Sequence, residues 1–173
     1  DTVDAVSTMG HELGHSMHSY YSKNQNYVDS NYPIFLAEIA STVNEVLIND
    51  YLYKNAKTKD EKTFYLTDFL FFFRTTIYRQ TMFAEFEMIM HEKEQNGVPL
   101  TEEELSTTYY ELNKLYFGDN VVSDDLIRYE WSRIPHFYTP FYVYKYATGL
   151  SAALSIASRI LDGDQKTKEN YFV

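Results

Sequence analysis

The 173-residue sequence contains no cysteine. That excludes disulfides and thiolate metal sites, so any metal must be held by histidine and carboxylate. Long apolar runs are missing as well. Stretches such as Phe69-Leu70-Phe71-Phe72-Phe73 are far too short to span a bilayer. No basic-then-apolar signal segment opens the chain. These absences fit a cytoplasmic protein of bacterial type, with no membrane partner. Positive charge is scarce: 15 Lys and Arg stand against 25 Asp and Glu, a net charge of −10. Such a chain repels phosphate backbones, so nucleic acid is not an expected partner. The chain lacks an initiator Met and stops on the apolar Tyr171-Phe172-Val173. The expectation is a fragment of a longer protein.

Hydrophobic residues make up 45% of the chain, a globular and not a disordered composition. Its 17 Tyr and 12 Phe suit grooves in which one end of a ring is wet, and suit plain core packing equally well. No convincing strand, internal repeat or low-complexity linker interrupts the helical pattern, so the fold class is all-α. A first helix is predicted over residues 3–23, and Pro33 suits the first turn of a second that runs to about Asn55. Residues 58–62 read as a charged turn before one long helix to about Gln95, which Asn96-Gly97-Val98-Pro99 stops. Thr101-Glu102-Glu103-Glu104 reads as a capping box for a helix ending near Gly118. Ser123 is placed as the next cap. Pro135 and Pro140 break the chain around His136, and a last helix is predicted from about Phe141 to Leu161, with Gly163 just past its end.

The chemistry begins at His11-Glu12-Leu13-Gly14-His15. Positions four apart share a helix face, so His11 and His15 can hold one Zn²⁺ between them, with Glu12 within reach of its water. A chance match in so short a chain is on the order of one in a hundred or less at ordinary residue frequencies. Gly10 and Gly14 cost a helix interior about 1 kcal/mol each, and they permit another backbone to approach. A catalytic zinc needs a third protein ligand. His18 lies nearly two turns from His11 on a continuous helix, too far to complete the site, and reads as a supporting, groove or core histidine. Glu38, within Phe35-Leu36-Ala37-Glu38-Ile39-Ala40, is the better candidate. About eight residues of first helix beyond His15 and about five of second helix before Glu38 amount to roughly 12 and 8 Å. An antiparallel hairpin therefore brings Glu38 near the level of His15. Glu45, two turns on, either orients a histidine ligand through its second ring nitrogen or is a solvated helix glutamate.

Hydrolysis also needs a group for the developing oxyanion. The segment from Arg133 to Gly149 offers His136, Tyr138, Tyr142, Tyr144 and Tyr146. His136 and Tyr138 sit at a proline bend, where side chains lean into a cleft, and Tyr142 and Tyr146 share a helical face. Tyr144 reads as part of an aromatic core stripe.

Taken together, HELGH with Met17-His18 after it, the run Phe35 to Glu45, and His136-Phe137-Tyr138 resemble the thimet oligopeptidase family of zinc peptidases, most closely its oligoendopeptidase F group. The resemblance covers essentially the whole chain. It implies one zinc-peptidase catalytic segment, 1–173, from a larger, mostly helical, deeply clefted cytosolic enzyme that cuts short peptides. It implies one Zn²⁺ per chain held by His11, His15 and Glu38, with Glu12 as general base. The family's late His and Tyr groups, which bind substrate and the oxyanion, map to His136, Tyr138 and Tyr142. Members are several times longer than 173 residues. The absent surface would leave apolar groove residues exposed and favour self-association. Alternatives are a zinc carboxypeptidase on a related scaffold, with Arg128, Arg133 or Lys145 for the substrate carboxylate, and an inert helical fragment.

Overall fold

The computed structural model describes residues 2–172; Asp1 and Val173, and with them the two chain ends read above, lie outside the described residues. Seven α-helices are described: α1 (Val3–Ser22), α2 (Ile34–Asn55), α3 (Lys59–Phe73), α4 (Arg79–Gln95), α5 (Glu102–Phe117), α6 (Tyr144–Leu161) and α7 (Gln165–Tyr171). Short 3₁₀ turns occupy Asp125–Arg133 and Pro135–Tyr138, and no strand occurs among the described residues. The all-α expectation is met. The chain packs as two compact units, one of residues up to Phe73 together with Thr148 onward, the other of Arg74–Ala147. The sequence pattern, read as one continuous segment, does not separate them.

In the first unit, α1 and α2 form an antiparallel hairpin. Its register is set by small residues. A Cβ on Gly14 would lie 2.5 Å from the Ser41 Cα and 2.8 Å from the Ala40 carbonyl oxygen, so the two backbones touch there. One turn earlier, Asn44 Nδ2 donates to the Gly10 carbonyl at 3.1 Å. Beyond, the Ser19 and Tyr32 hydroxyls pair at 2.9 Å. Ser41 and Val43 are fully buried at this seam. Gly149, Ala153 and Ala157 give α6 a buried stripe of small residues at a spacing of four, with the Gly149 position 3.6 Å from the Glu38 Cβ.

The second unit is built on α4 and α5. Met82, Phe83, Phe86 and Met90 from α4 pack with Tyr109 and Leu112 from α5, and Ile134 and Val143 close the core. Glu130 is buried beside it, where it accepts hydrogen bonds from Arg79 Nη2 and from the Tyr109 hydroxyl, both at 2.7 Å, and from Arg133. Burial and that carboxylate together push the Tyr109 hydroxyl pKa far up.

Several local expectations are corrected. The long helix to Gln95 is two helices joined by a π turn at Arg74–Tyr78, where the β-branched run Thr75-Thr76-Ile77 crowds a regular α-helix. Residues 58–61 are a reciprocal capping box: the Glu61 N–H bonds to Thr58 Oγ1 at 3.1 Å, and Glu61 Oε2 accepts from the Thr58 N–H at 3.2 Å. At Thr101 only half of the box forms. Thr101 Oγ1 takes the Glu104 N–H at 3.3 Å, while the Glu104 carboxylate is drawn to Lys93. A full charge on the ammonium outweighs a neutral backbone donor. Asp124, not Ser123, caps the 3₁₀ turn, because the Ser123 hydroxyl is committed to Asn113 at 2.9 Å. Pro33 is the cap of α2 and not its first residue, and α7 follows the Gly163 turn.

Candidate metal centre

The hairpin register decides what faces the histidine pair. His11 Nε2 and His15 Nε2 are 3.1 Å apart. Glu38 Oε2 stands 3.4 Å from the first and 3.9 Å from the second. Among the described residues, these three form the one His/Asp/Glu cluster that meets the spacing needed to share an ion. Metal–ligand bonds of about 2.0–2.1 Å in a tetrahedron hold neighbouring ligand atoms about 3.3 Å apart. The three observed separations bracket that value, so the donor set fits a small tetrahedral cation. Two imidazoles and a carboxylate suit zinc and its borderline neighbours better than calcium or magnesium.

Two of the three donors, His11 and Glu38, are held from behind. Glu45 Oε2 lies 3.4 Å from His11 Nδ1. With Nδ1–H directed to that carboxylate, the lone pair sits on Nε2, on the side of Glu38. The hydrogen bond to Glu45 is the largest influence on the His11 imidazole and raises its pKa, opposed by desolvation and reinforced by the charges of Glu45, Glu38 and Glu12. The buried Ser41 hydroxyl donates to the Glu38 carbonyl at 3.1 Å and comes within 3.4 Å of its Oε2. Glu12 is exposed beside the cluster, and among the described residues no hydrogen bond or ion pair engages its carboxylate.

His18 is not in the cluster. Its ring stacks on Tyr32 with centroids 3.7 Å apart and planes at 15°. It lines a cavity of about 570 Å³ with Met17, Tyr32, Arg159 and Tyr171. Its Nδ1 is buried and has no partner among the described residues, and burial, then the nearby His15, lowers its pKa. Ser41 and Asn44 escaped the sequence reading. Their signal is a small or amide side chain facing a glycine across the hairpin.

The later residues lie in the second unit. His136 is exposed on the Pro135–Tyr138 turn. The Tyr142 ring stacks on it at 5.6 Å and 25°, and the Tyr146 hydroxyl stands 3.5 Å from its Nε2. Tyr138 is 85% exposed. Tyr144 is exposed and not part of a core stripe, because its neighbour Val143 occupies the inward position. Of the cations considered for a substrate carboxylate, Arg133 is paired with Glu130, Arg128 lies over the Tyr110 ring, and Lys145 over Tyr142.

No helix among the described residues is long and apolar enough to cross a membrane. The profile of Peptidase family M3 matches residues 2–171. The chain is 51% identical to the Bacillus subtilis (strain 168) protein named Oligopeptidase PepF, over 99% of this chain and 26% of that protein. It is 46% identical to the plasmid-borne Oligoendopeptidase F of Lactococcus lactis subsp. cremoris, over 99% of this chain and 29% of that one. The crystal structure of oligoendopeptidase-F from Enterococcus faecium superposes with a TM-score of 0.84 at 46% identity, covering 98% of this chain and 30% of that one. The chain thus spans between a quarter and a third of the length of these relatives. With the family profile matched nearly end to end by a chain that carries HELGH and a facing glutamate on an all-helical scaffold, this chain belongs to Peptidase family M3.

Proposed function

We propose that this chain is the catalytic segment of a zinc-dependent oligoendopeptidase of the cytoplasm that hydrolyses short peptides. His11, His15 and Glu38 hold one zinc ion, and Glu12 is the general base. The observation that carries the reading is the trio of ligand atoms 3.1, 3.4 and 3.9 Å apart, with Glu12 beside it. The metal supplies a Lewis acid that acidifies water and polarises the scissile carbonyl. Glu12 takes the proton of the attacking water and delivers it to the leaving amine as the C–N bond breaks. Glu45 keeps the His11 ring turned, and Ser41 steadies the Glu38 carboxylate. His136, Tyr138 and Tyr142 bind the peptide and the oxyanion. Support for that assignment is the family resemblance together with the His136–Tyr142–Tyr146 ring cluster, in which His136 is exposed and the two tyrosines are half-buried.

The test is elemental analysis of the purified protein and of Glu38→Gln side by side. One zinc per chain, lost or greatly weakened in the variant, is the expected result. Full zinc in Glu38→Gln would discard Glu38 as a ligand, and no zinc in either would discard the centre.

A further inference from the structure

Phe141 is the one non-glycine among the described residues with a positive φ, at +55°. An L side chain rarely adopts this left-handed backbone. Two side chains of one α4 face grip it. Glu87 Oε1 accepts the Phe141 N–H at 2.5 Å. His91, one helical turn further on, stacks on the Phe141 ring with centroids 4.7 Å apart and planes at 29°. The N–H is carried at one end of the N–Cα bond and the ring, through Cβ, at the other. Holding both restricts the rotation about that bond, which is φ.

The grip is anchored in the core of the second unit. Glu87 is 6% exposed, between Phe86 and Met90 on the same helix. Among the described residues the Phe141 N–H is its only hydrogen-bond partner, and it has no ion pair. Packing alone does not call for a buried carboxylate with a single backbone donor, since an apolar side chain would fill the space without desolvating a polar group. Beyond Phe141 the chain continues to Tyr142, whose ring returns over His136, and to Val143, which is buried. Pro140, with its own φ fixed, precedes the turn.

We propose that Glu87 and His91 are positioning residues: they hold Phe141 in its left-handed backbone and so keep Tyr142 stacked on His136, the face that meets the peptide. The functional half of this inference rests on the reading of His136 and Tyr142 as substrate-binding groups.

Hydrogen-exchange mass spectrometry of residues 136–143, with kcat/KM for a fluorogenic peptide, tests it in the full-length protein. Glu87→Ala should speed exchange of this segment about tenfold or more and lower kcat/KM by about tenfold or more. Glu87→Gln, whose amide oxygen still accepts the N–H, should stay near wild type in both. The Phe141 ring is half exposed, so substitutions there spare the core. Phe141→Gly adopts positive φ freely and should protect the segment better than Phe141→Val, whose branched Cβ resists it. A packing role alone gives the opposite order, with the bulkier valine better. Unchanged exchange in Glu87→Ala, or valine outperforming glycine, would overturn the latch. Faster exchange with undiminished kcat/KM would uphold the latch and overturn the assignment of His136 and Tyr142 to the substrate.

Discussion

At the scale of single residues, His11 is held from both sides of its ring. Its Nε2 is 3.4 Å from Glu38 and its Nδ1 3.4 Å from Glu45, so carboxylates flank both ring nitrogens. These carboxylates favour the imidazolium and raise its pKa above 6.5, the Glu45 hydrogen bond contributing most. The sign follows directly. In the metal-free protein this group contributes stability that is fully present below the unfolded pKa of about 6.5 and is lost as pH rises through the higher folded value. Proton and metal compete for Nε2, so metal affinity should begin to fall at a pH above 6.5, by about tenfold per pH unit from this group. Glu45→Gln should move that onset to lower pH and weaken binding by about 10–100-fold at pH 8. Chelator competition across pH measures both. An unshifted onset would make Glu45 a solvated helix glutamate, the other reading its sequence position allows.

The helix hairpin is the element on which the centre depends. Gly14 marks the closest approach of α1 and α2, and the register it sets places Glu38 opposite the histidines and Glu45 opposite His11. Gly14→Ala puts a methyl where backbone, and not a flexible side chain, already stands. Helix propensity gains about 1 kcal/mol from the change, and forced overpacking costs about 1–3 kcal/mol or more. The helices must part, so the variant should melt earlier and also bind metal more weakly. Gly10→Ala meets only the end of the Ile48 side chain, which can turn away, and should be milder in both respects. Thermal unfolding and zinc titration of the pair decide the matter. Equal effects would mean that the seam tolerates separation at Gly14.

At the scale of the whole molecule, two features govern behaviour. In the second unit, Glu130 is a buried carboxylate satisfied by Arg79, Tyr109 and Arg133. Arg79 is the more buried of its two guanidinium partners, so Arg79→Met leaves the charge to the exposed Arg133. That variant should cost about 1.5–3 kcal/mol, and Tyr109→Phe, which removes one neutral donor, about 0.5–1.5 kcal/mol. Urea unfolding gives both values, and a reversed order would show that Arg133 alone satisfies the carboxylate. In the first unit, Val6, Met9, Leu13, Met17 and Tyr20 are exposed along α1 at spacings of three and four. An exposed apolar stripe of this kind favours association. Light scattering of residues 1–173 alone should show self-association, reduced by Leu13→Glu with Met17→Lys; a monomer at all concentrations would contradict this.

The sequence by itself determined what short-range geometry controls. Helical period alone puts His11 and His15 on one face, and hairpin lengths alone bring Glu38 to their level; the cysteine-free composition leaves only such ligands. Tertiary structure decided every choice between competing partners. His18 stacks on Tyr32 and not beside the ligands, Glu45 meets a ring nitrogen and not solvent, and Glu104 leaves its capping box for Lys93 while Glu61 keeps its own. Phe141 takes a left-handed backbone that no local pattern signals, because the groups that hold it stand 50 and 54 residues away, at His91 and Glu87. A backbone hydrogen-bond period is a local property and can be read from neighbours in the chain. The partner a polar side chain takes depends on which charges and rings burial brings against it, and that is settled only when distant helices pack.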